Sequence, residues 1–181
     1  MKASATPGPC PRDFGIDLDP LRLSADPDGQ AHVVEAFTRL RPDWARLSQR
    51  IVFKPDSYSR CRLYGDDNLE VLLLCWLPGH ATPVHDHGAS WGVSMPICGT
   101  LVESAYRQRG AGLALERTVR ATLTIGEVAI ERGDTIHQVE NASSAPAVSL
   151  HVYSPPLARY GAYDVDTGIA TPVAPPADPC G

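Results

Sequence analysis

Hydrophobic and polar residues follow two different periods along this chain, one before and one after residue 58. In the earlier part, apolar residues recur at steps of three and four, at Val33, Val34, Phe37, Leu40, Trp44, Leu47 and Ile51. This spacing places them on one face of a helix. Pro42 interrupts the series and disfavours helical backbone at Arg41, the residue before it. The pattern therefore predicts two short helices rather than one long one.

After residue 58 the apolar residues fall into short segments separated by glycine-containing turns. The segments cover residues 69–76, 90–98, 101–107, 117–125, 127–131, 136–139 and 147–153. Short strands at regular intervals predict a mainly β domain, built as a sandwich or a barrel. The sequence predicts an irregular N-terminal arm over residues 1–30, this domain with its helical start over 31–165, and an irregular Ala/Pro-rich tail over 166–181.

Composition bears on binding partners and on localisation. The chain has 181 residues and a formal charge of −5, so it offers no basic field for nucleic acid or an anionic membrane. It contains neither an apolar run long enough to span a bilayer nor an apolar stretch of the signal-peptide kind near its start. Its five cysteines include no Cys-x-x-Cys pair, and Cys75 and Cys98 lie in apolar runs typical of buried thiols. We expect a cytoplasmic protein.

The strongest chemical signal is His85-Asp86-His87. Side chains two apart on an extended strand share a face, so the two imidazoles point to one side and Asp86 to the other. Two converging neutral imidazoles suit a transition metal such as Fe, Zn, Ni or Cu. The alternative is a pair of packing or surface histidines.

Other histidines can complete such a site. The chain has six, and His137 lies at the start of a predicted strand about fifty residues beyond the pair. We expect His32, in the helical segment, and His80, in a Pro-Gly turn, to lie on the surface. His137 and His151 occupy segments that a jelly-roll barrel would bring to the first half of the chain.

Ser149, His151 and Tyr153 alternate along one predicted strand and so share one face. Three polar side chains facing into a small barrel each need a hydrogen-bond partner. They are best explained as one wall of a polar pocket. The alternative is a hydrated outer face of the sheet.

These motifs resemble those of the cupin superfamily. Its first motif is a Gly, five residues, His-x-His, a Glu and a later Gly, and this chain has Gly79, His85, His87 and Gly99. Gly92 stands at the usual Glu position. The second motif reappears loosely as Gly126, Gly133, His137 and Asn141. The resemblance implies a jelly-roll β-barrel and a three-histidine metal site without the carboxylate. The same ligands also serve catalytic zinc, so ligands alone do not identify the metal.

Within that superfamily the chain resembles the cysteine dioxygenase family. The resemblance covers about half the chain and consists of Tyr58-x-Arg60, Leu74-Cys75-Trp76, His85-Asp86-His87, His137-x-Val139-Glu140-Asn141 and the segment from Ser149 to Pro156. It implies oxidation of L-cysteine by O₂ to cysteine sulfinic acid at one mononuclear Fe(II) per chain. It also favours a monomer.

The resemblance implies a role for each matching residue. His85, His87 and His137 would hold the iron, and Arg60 would bind the substrate carboxylate, with Tyr58 hydrogen-bonding nearby. Tyr153 would lie close to the substrate thiolate and oxygen, with its hydroxyl oriented by His151 and that ring by Ser149. Animal members carry a cysteine joined to the active-site tyrosine at the position of Gly92, so we expect Tyr153 to be uncrosslinked here.

Three alternatives stay open. A 3-mercaptopropionate dioxygenase typically carries Gln at the position of Arg60, so Arg60 favours cysteine. A non-catalytic cupin that binds a thiol or a metal would be expected to lack one of Tyr58, Arg60, His151 and Tyr153. A zinc hydrolase would need a general base near the metal, for which the pocket strand offers only His151.

Overall fold

Two short helices precede the strands, as the spacing of apolar residues predicts. In the computed structural model, which describes Gly15, residues 29–110, residues 114–177 and Cys180, helix α1 covers Gly29–Thr38 and helix α2 covers Trp44–Leu47. A 3₁₀ turn, Ser48–Arg50, follows. Asp43 caps α2 by accepting a hydrogen bond from the backbone N–H of Arg46 at 3.2 Å. Except for Gly15, residues 1–28 of the predicted arm lie outside the described residues.

Ten strands, joined by turns and loops, follow the helices in the described part of the chain. They are β1 Ser59–Gly65, β2 Glu70–Trp76, β3 Trp91–Cys98, β4 Leu101–Gln108, β5 Leu115–Leu123, β6 Ala129–Glu131, β7 Ile136–Glu140, β8 Ala147–Ser154, β9 Tyr160–Tyr163 and β10 Ala170–Val173. One sheet has the order β1-β2-β8-β3-β6, a second the order β5-β4-β7, and β9 pairs with β10. All these pairings are antiparallel. This mainly β architecture confirms the predicted fold class.

The central strands β2, β8 and β3 of the five-stranded sheet are buried on both faces. On one face, Val71 and Leu73 of β2 and Leu150 of β8 belong to a buried cluster that includes Phe37 of α1. Alternate residues on the other face, such as Leu72 and Leu74, belong to a second buried cluster with Tyr58, Trp76 and Tyr153. Because side chains alternate along a strand, the inward face of β8 presents Ser149, His151 and Tyr153, all buried. The proposed pocket wall therefore faces the interior.

The C-terminal region is more regular than the sequence predicts. Residues 166–181 are expected to be irregular, but Ala170–Val173 forms β10 and pairs with β9. Backbone pairing needs little apolar side-chain content, which is why composition does not reveal this strand. Asp164 closes the turn between the strands by accepting from the N–H of Thr167 at 2.8 Å.

One expectation about the cysteines is wrong, and one cysteine pair is not anticipated. Cys75 is buried as expected, but Cys98 is exposed, since it is the last residue of β3 before a turn. Cys61 and Cys180 form a disulfide across 119 residues of sequence. The cysteine pattern therefore does not by itself indicate a reducing compartment.

His80 also differs from expectation. It is buried, and its Nδ1 accepts a hydrogen bond from the N–H of Leu77 at 3.0 Å. His32 is half-buried rather than exposed. In the described part of the chain, no helix combines the length and the apolar character needed to cross a membrane.

Candidate metal centre

Three buried histidines converge on one point, as the sequence predicts. His85 and His87 lie in the segment between β2 and β3, and His137 is the second residue of β7. One nitrogen of each ring lies within 4.8 Å of those of the other two. The backbones of His85 and His137 are joined in both directions, by N–H···O distances of 2.8 and 2.9 Å. This bridge holds two of the rings on neighbouring segments of chain.

Three ring nitrogens of the cluster indicate a missing partner. Nδ1 and Nε2 of His87 and Nε2 of His137 are buried and have no hydrogen-bond partner among the described residues. A buried polar atom without a partner costs about 1–3 kcal/mol, so a cluster of such atoms suggests a bound ion. Three imidazoles within this distance fit a transition metal.

The outer nitrogens of two of these rings are held by neighbours. Nδ1 of His85 lies 3.0 Å from the carbonyl oxygen of Pro83, and Nδ1 of His137 lies 2.7 Å from Oε1 of Glu103. In each case Nδ1 is suited to donate a hydrogen bond, which leaves Nε2 unprotonated for a metal. Asp86 points away from the cluster and accepts from the N–H of Gly161 at 2.9 Å and the hydroxyl of Tyr163 at 2.8 Å.

Burial keeps the imidazoles of His85 and His87 neutral. Desolvation, and next the neighbouring His137, lowers the pKa of His85 to about 3. The same causes, with His85 added, lower the pKa of His87 to about 2. Neutral imidazole is the form that binds a metal, so at pH 7 both rings are ready to act as ligands.

The wall formed by β8 carries a chain of hydrogen bonds. Nε1 of Trp76 donates to Oγ of Ser149 at 3.0 Å, and that hydroxyl lies 2.8 Å from Nε2 of His151. Nδ1 of His151 lies 3.4 Å from the hydroxyl of Tyr153. The ring of Tyr153 stacks on His87 with centroids 5.4 Å apart. This series of hydrogen bonds therefore leads from Trp76 in the barrel core to Tyr153 beside the histidine cluster.

Arg60 and Tyr58 lie across the same cavity. Its lining includes both residues together with His85, His137, His151 and Tyr153. Tyr58 stacks on Trp76 with centroids 4.7 Å apart. Burial raises the pKa of Tyr58 to about 12 and that of Tyr153 well above its ordinary value. Both phenols therefore stay protonated and able to donate a hydrogen bond. Pro175 and Pro176 of the C-terminal segment complete the lining.

Three carboxylates near the cavity are not anticipated from the sequence: Glu70, Glu103 and Glu131. Glu70 contacts Arg60, and Glu103 contacts His137. Glu70 lies between Leu69 and Val71 in an apolar strand, and a charge at such a position requires a partner. That rule could have identified Glu70 as a residue of interest, although not its partner.

Glu131 occupies the space that Gly92 leaves open. Gly92 pairs with Glu131 on one side and with Tyr153 on the other. A Cβ atom on residue 92 would lie 2.6 Å from Oε2 of Glu131 and 2.7 Å from Cε1 of Tyr153. Burial raises the pKa of Glu131 to about 7. The carboxylate of Glu131, from β6, therefore lies beside residue 92, the position at which the first cupin motif usually has a glutamate.

Comparisons with known proteins show similarity to one family. The family Cysteine dioxygenase type I matches residues 22–166. Cysteine dioxygenase type 1 of Rattus norvegicus is 32% identical over 141 residues, which cover 75% of this chain and 68% of the rat protein. The human protein of the same name is 30% identical over 140 residues, with the same two coverages.

Solved structures support the fold. A Thermus thermophilus protein superposes with a TM-score of 0.52 at 24% identity, covering 61% of this chain and 94% of that protein. A Bacillus halodurans protein gives a TM-score of 0.52 at 14% identity, covering 72% and 86% of the two chains.

Proposed function

Because this chain belongs to the cysteine dioxygenase family, we propose that it oxidises L-cysteine with O₂ to cysteine sulfinic acid. The observation that carries the proposal is one cavity that joins the histidine cluster, a buried arginine and the tyrosine at the end of the β8 hydrogen-bond chain. A metal for O₂ chemistry, a cation for a carboxylate and an oriented phenol are the three groups that this reaction requires.

His85, His87 and His137 would hold one Fe(II) per chain. The three converging ring nitrogens and the buried, unpartnered Nε2 atoms fit such an ion. The ion would lower the pKa of the substrate thiol and bring the thiol and O₂ together. With only three protein ligands, such an ion would be able to accept further ligands.

Arg60 would bind the substrate carboxylate. Its side chain is only 13% exposed, so a carboxylate paired with it would be largely shielded from water. Tyr58, kept protonated by burial, would donate a second hydrogen bond to the same group. These contacts would fix the orientation of the thiol with respect to the histidine cluster.

Tyr153 would direct its hydroxyl toward the reacting sulfur and oxygen. His151 and Ser149 act on it as positioning residues, because their contacts of 3.4 and 2.8 Å restrict the direction of that hydroxyl. Desolvation lowers the pKa of His151 to about 3, so its ring remains neutral at pH 7. One of its nitrogens is therefore an acceptor and the other a donor.

The test is O₂ uptake by the Fe(II)-loaded protein, with L-cysteine and 3-mercaptopropionate assayed in parallel and sulfinate quantified. We expect one O₂ consumed per sulfinate, with L-cysteine preferred. A preference for 3-mercaptopropionate would contradict the choice of substrate and retain the reaction. No turnover of either thiol by protein with verified iron would contradict the reaction itself.

A further inference from the structure

Arg60 is joined to a second buried charge that does not line the cavity. Its Nη2 lies 2.5 Å from Oε1 of Glu70, and the two side chains are 13% and 6% exposed. Arg60 belongs to the lining of the cavity, whereas Glu70 lies outside it. Glu70 shares a face of β2 with Leu72 and Leu74, which do line the cavity, so its carboxylate contacts the guanidinium on the inward side of the sheet, beside the lining.

The same carboxylate oxygen is anchored to the backbone. Oε1 of Glu70 accepts a hydrogen bond from the N–H of Leu157 at 3.0 Å. Leu157 follows the last residues of β8, and its side chain lines the cavity together with Arg60. Glu70 thereby links β1, which carries Arg60, to the segment after β8.

Glu70 also stands at a fixed place in the sheet. It is the first residue of β2 and forms the end pair of two antiparallel ladders, with Tyr153 of β8 on one side and with Gly65 of β1 on the other. A carboxylate fixed by its own strand and by a backbone N–H can restrain a long, flexible arginine. An unrestrained arginine would lose rotamer freedom each time that it bound a ligand.

We propose that Glu70 is a positioning residue that presets the guanidinium of Arg60 for a thiol bearing a carboxylate, and so sets specificity for that class of substrate. This inference rests on the proposed function. Among the described residues, Glu70 contacts Arg60 through Nη2 alone, in a contact with one oxygen. A guanidinium has five N–H donors, so donors remain for the substrate.

The opposite effect would follow if Glu70 competed with the substrate. Its negative charge would then repel the incoming carboxylate, and its removal would tighten binding. The two mechanisms differ in sign, so the KM for L-cysteine distinguishes them.

The experiment compares Glu70→Ala with Glu70→Gln in the Fe(II)-loaded protein. The glutamine oxygen can still accept from Arg60 and from Leu157, so Glu70→Gln is the conservative variant. We expect Glu70→Ala to raise the KM for L-cysteine at least 10-fold with a smaller change in kcat, and Glu70→Gln to stay within about 3-fold of wild type. The anaerobic Kd for L-cysteine should change in parallel.

A thiol without a carboxylate supplies the specificity control. The inhibition constant of 2-aminoethanethiol against L-cysteine should be the same in wild type and both variants, because this ligand does not contact Arg60. In an Arg60→Gln background, Glu70→Ala should have no further effect on the KM, since Glu70 acts through Arg60. If Glu70→Ala does not fold, Glu70→Asp, whose shorter side chain retracts the carboxylate, replaces it with the same expected direction.

An unchanged or lower KM for L-cysteine in folded Glu70→Ala would overturn the inference. A rise in the inhibition constant of 2-aminoethanethiol equal to the rise in KM would overturn it too, since the effect would then be a general distortion of the cavity. If wild type itself oxidises no carboxylate-bearing thiol, the proposed function fails and this inference with it.

Discussion

Oε1 of Glu103 lies 2.7 Å from Nδ1 of His137, the nitrogen of that ring that faces away from the histidine cluster. Glu103 lies on β4 and His137 on β7, and these strands are neighbours in the three-stranded sheet. A carboxylate at this position fixes the ring orientation and makes Nε2 a stronger donor to a metal.

We expect Glu103→Leu to weaken metal binding by about 10- to 100-fold, because the ring of His137 loses its restraint. Competition titrations with Fe(II) and with Co(II) measure the affinity independently of turnover. Glu116→Gln on the neighbouring strand β5 is a suitable control, since that carboxylate contacts only Arg107 and Arg109 among the described residues. Equal affinities in Glu103→Leu and wild type would exclude the role given to Glu103.

Replacement of Arg60 by glutamine should act on substrate binding rather than on metal binding. Loss of a charged hydrogen-bond partner for the carboxylate costs a few kcal/mol, which corresponds to about 10²-fold or more in kcat/KM for L-cysteine. Iron content, measured by atomic absorption, should stay near that of wild type. A variant that keeps wild-type kcat/KM would remove Arg60 from the substrate site.

Tyr153 should carry no thioether bond. Gly92 supplies no sulfur at the neighbouring position, and Glu131 fills the space beside it. Peptide mapping of the non-reduced protein should give an unmodified Tyr153 peptide and a linked pair that contains Cys61 and Cys180. A Tyr153 peptide joined to any cysteine, with a mass lower by about two daltons, would be inconsistent with this description.

The metal-free protein should lose stability as the pH falls below 6.5. The folded-state pKa values of His85, His87 and His151 are about 3, 2 and 3, so these rings stay neutral in the native state while the unfolded chain binds protons. Their contribution to stability is present above pH 6.5 and decreases toward pH 3.

Glu131 acts in the opposite direction. Its folded-state pKa of about 7 lies above the usual value of 4.5, so the native state binds its proton first and gains stability as the pH falls from 7 to 4.5. Between pH 7 and pH 5 the stability lost through the three histidines exceeds the stability gained through Glu131. Urea unfolding should therefore give a lower free energy of unfolding at pH 5 than at pH 7. Glu131→Gln should enlarge that difference. Equal stability at both pH values would show that the histidines are not neutral in the native state.

The sequence predicts those parts of the fold that depend on local pattern. The period of Val33, Phe37 and Leu40 predicts α1, and the alternation of Ser149, His151 and Tyr153 predicts the inward face of β8. The strand β1 is missed, because Arg62 and Tyr64 interrupt its apolar residues. The pairing of β9 with β10 depends on backbone hydrogen bonds, which leave little trace in composition.

In the candidate site, the sequence identifies side chains but not their supporting contacts. His85 and His87 are visible from their spacing, and His137 from its place in a resembling motif. Glu70, Glu103 and Glu131 come from three different strands, and each becomes relevant only when tertiary pairing sets it beside Arg60, His137 or Gly92. Single-sequence spacing does not carry such long-range contacts.

The most direct test of the account is the fate of isotopically labelled oxygen. Fe(II)-loaded protein would be given L-cysteine under ¹⁸O₂ in unlabelled water, and the sulfinate product analysed by mass spectrometry. If both oxygen atoms of one O₂ molecule are added to the sulfur, the product should be about 4 Da heavier than that formed under ¹⁶O₂, because each ¹⁸O atom adds about 2 Da. A product that carries one labelled atom or none would mean that water supplies oxygen, and would contradict dioxygenation at the histidine cluster.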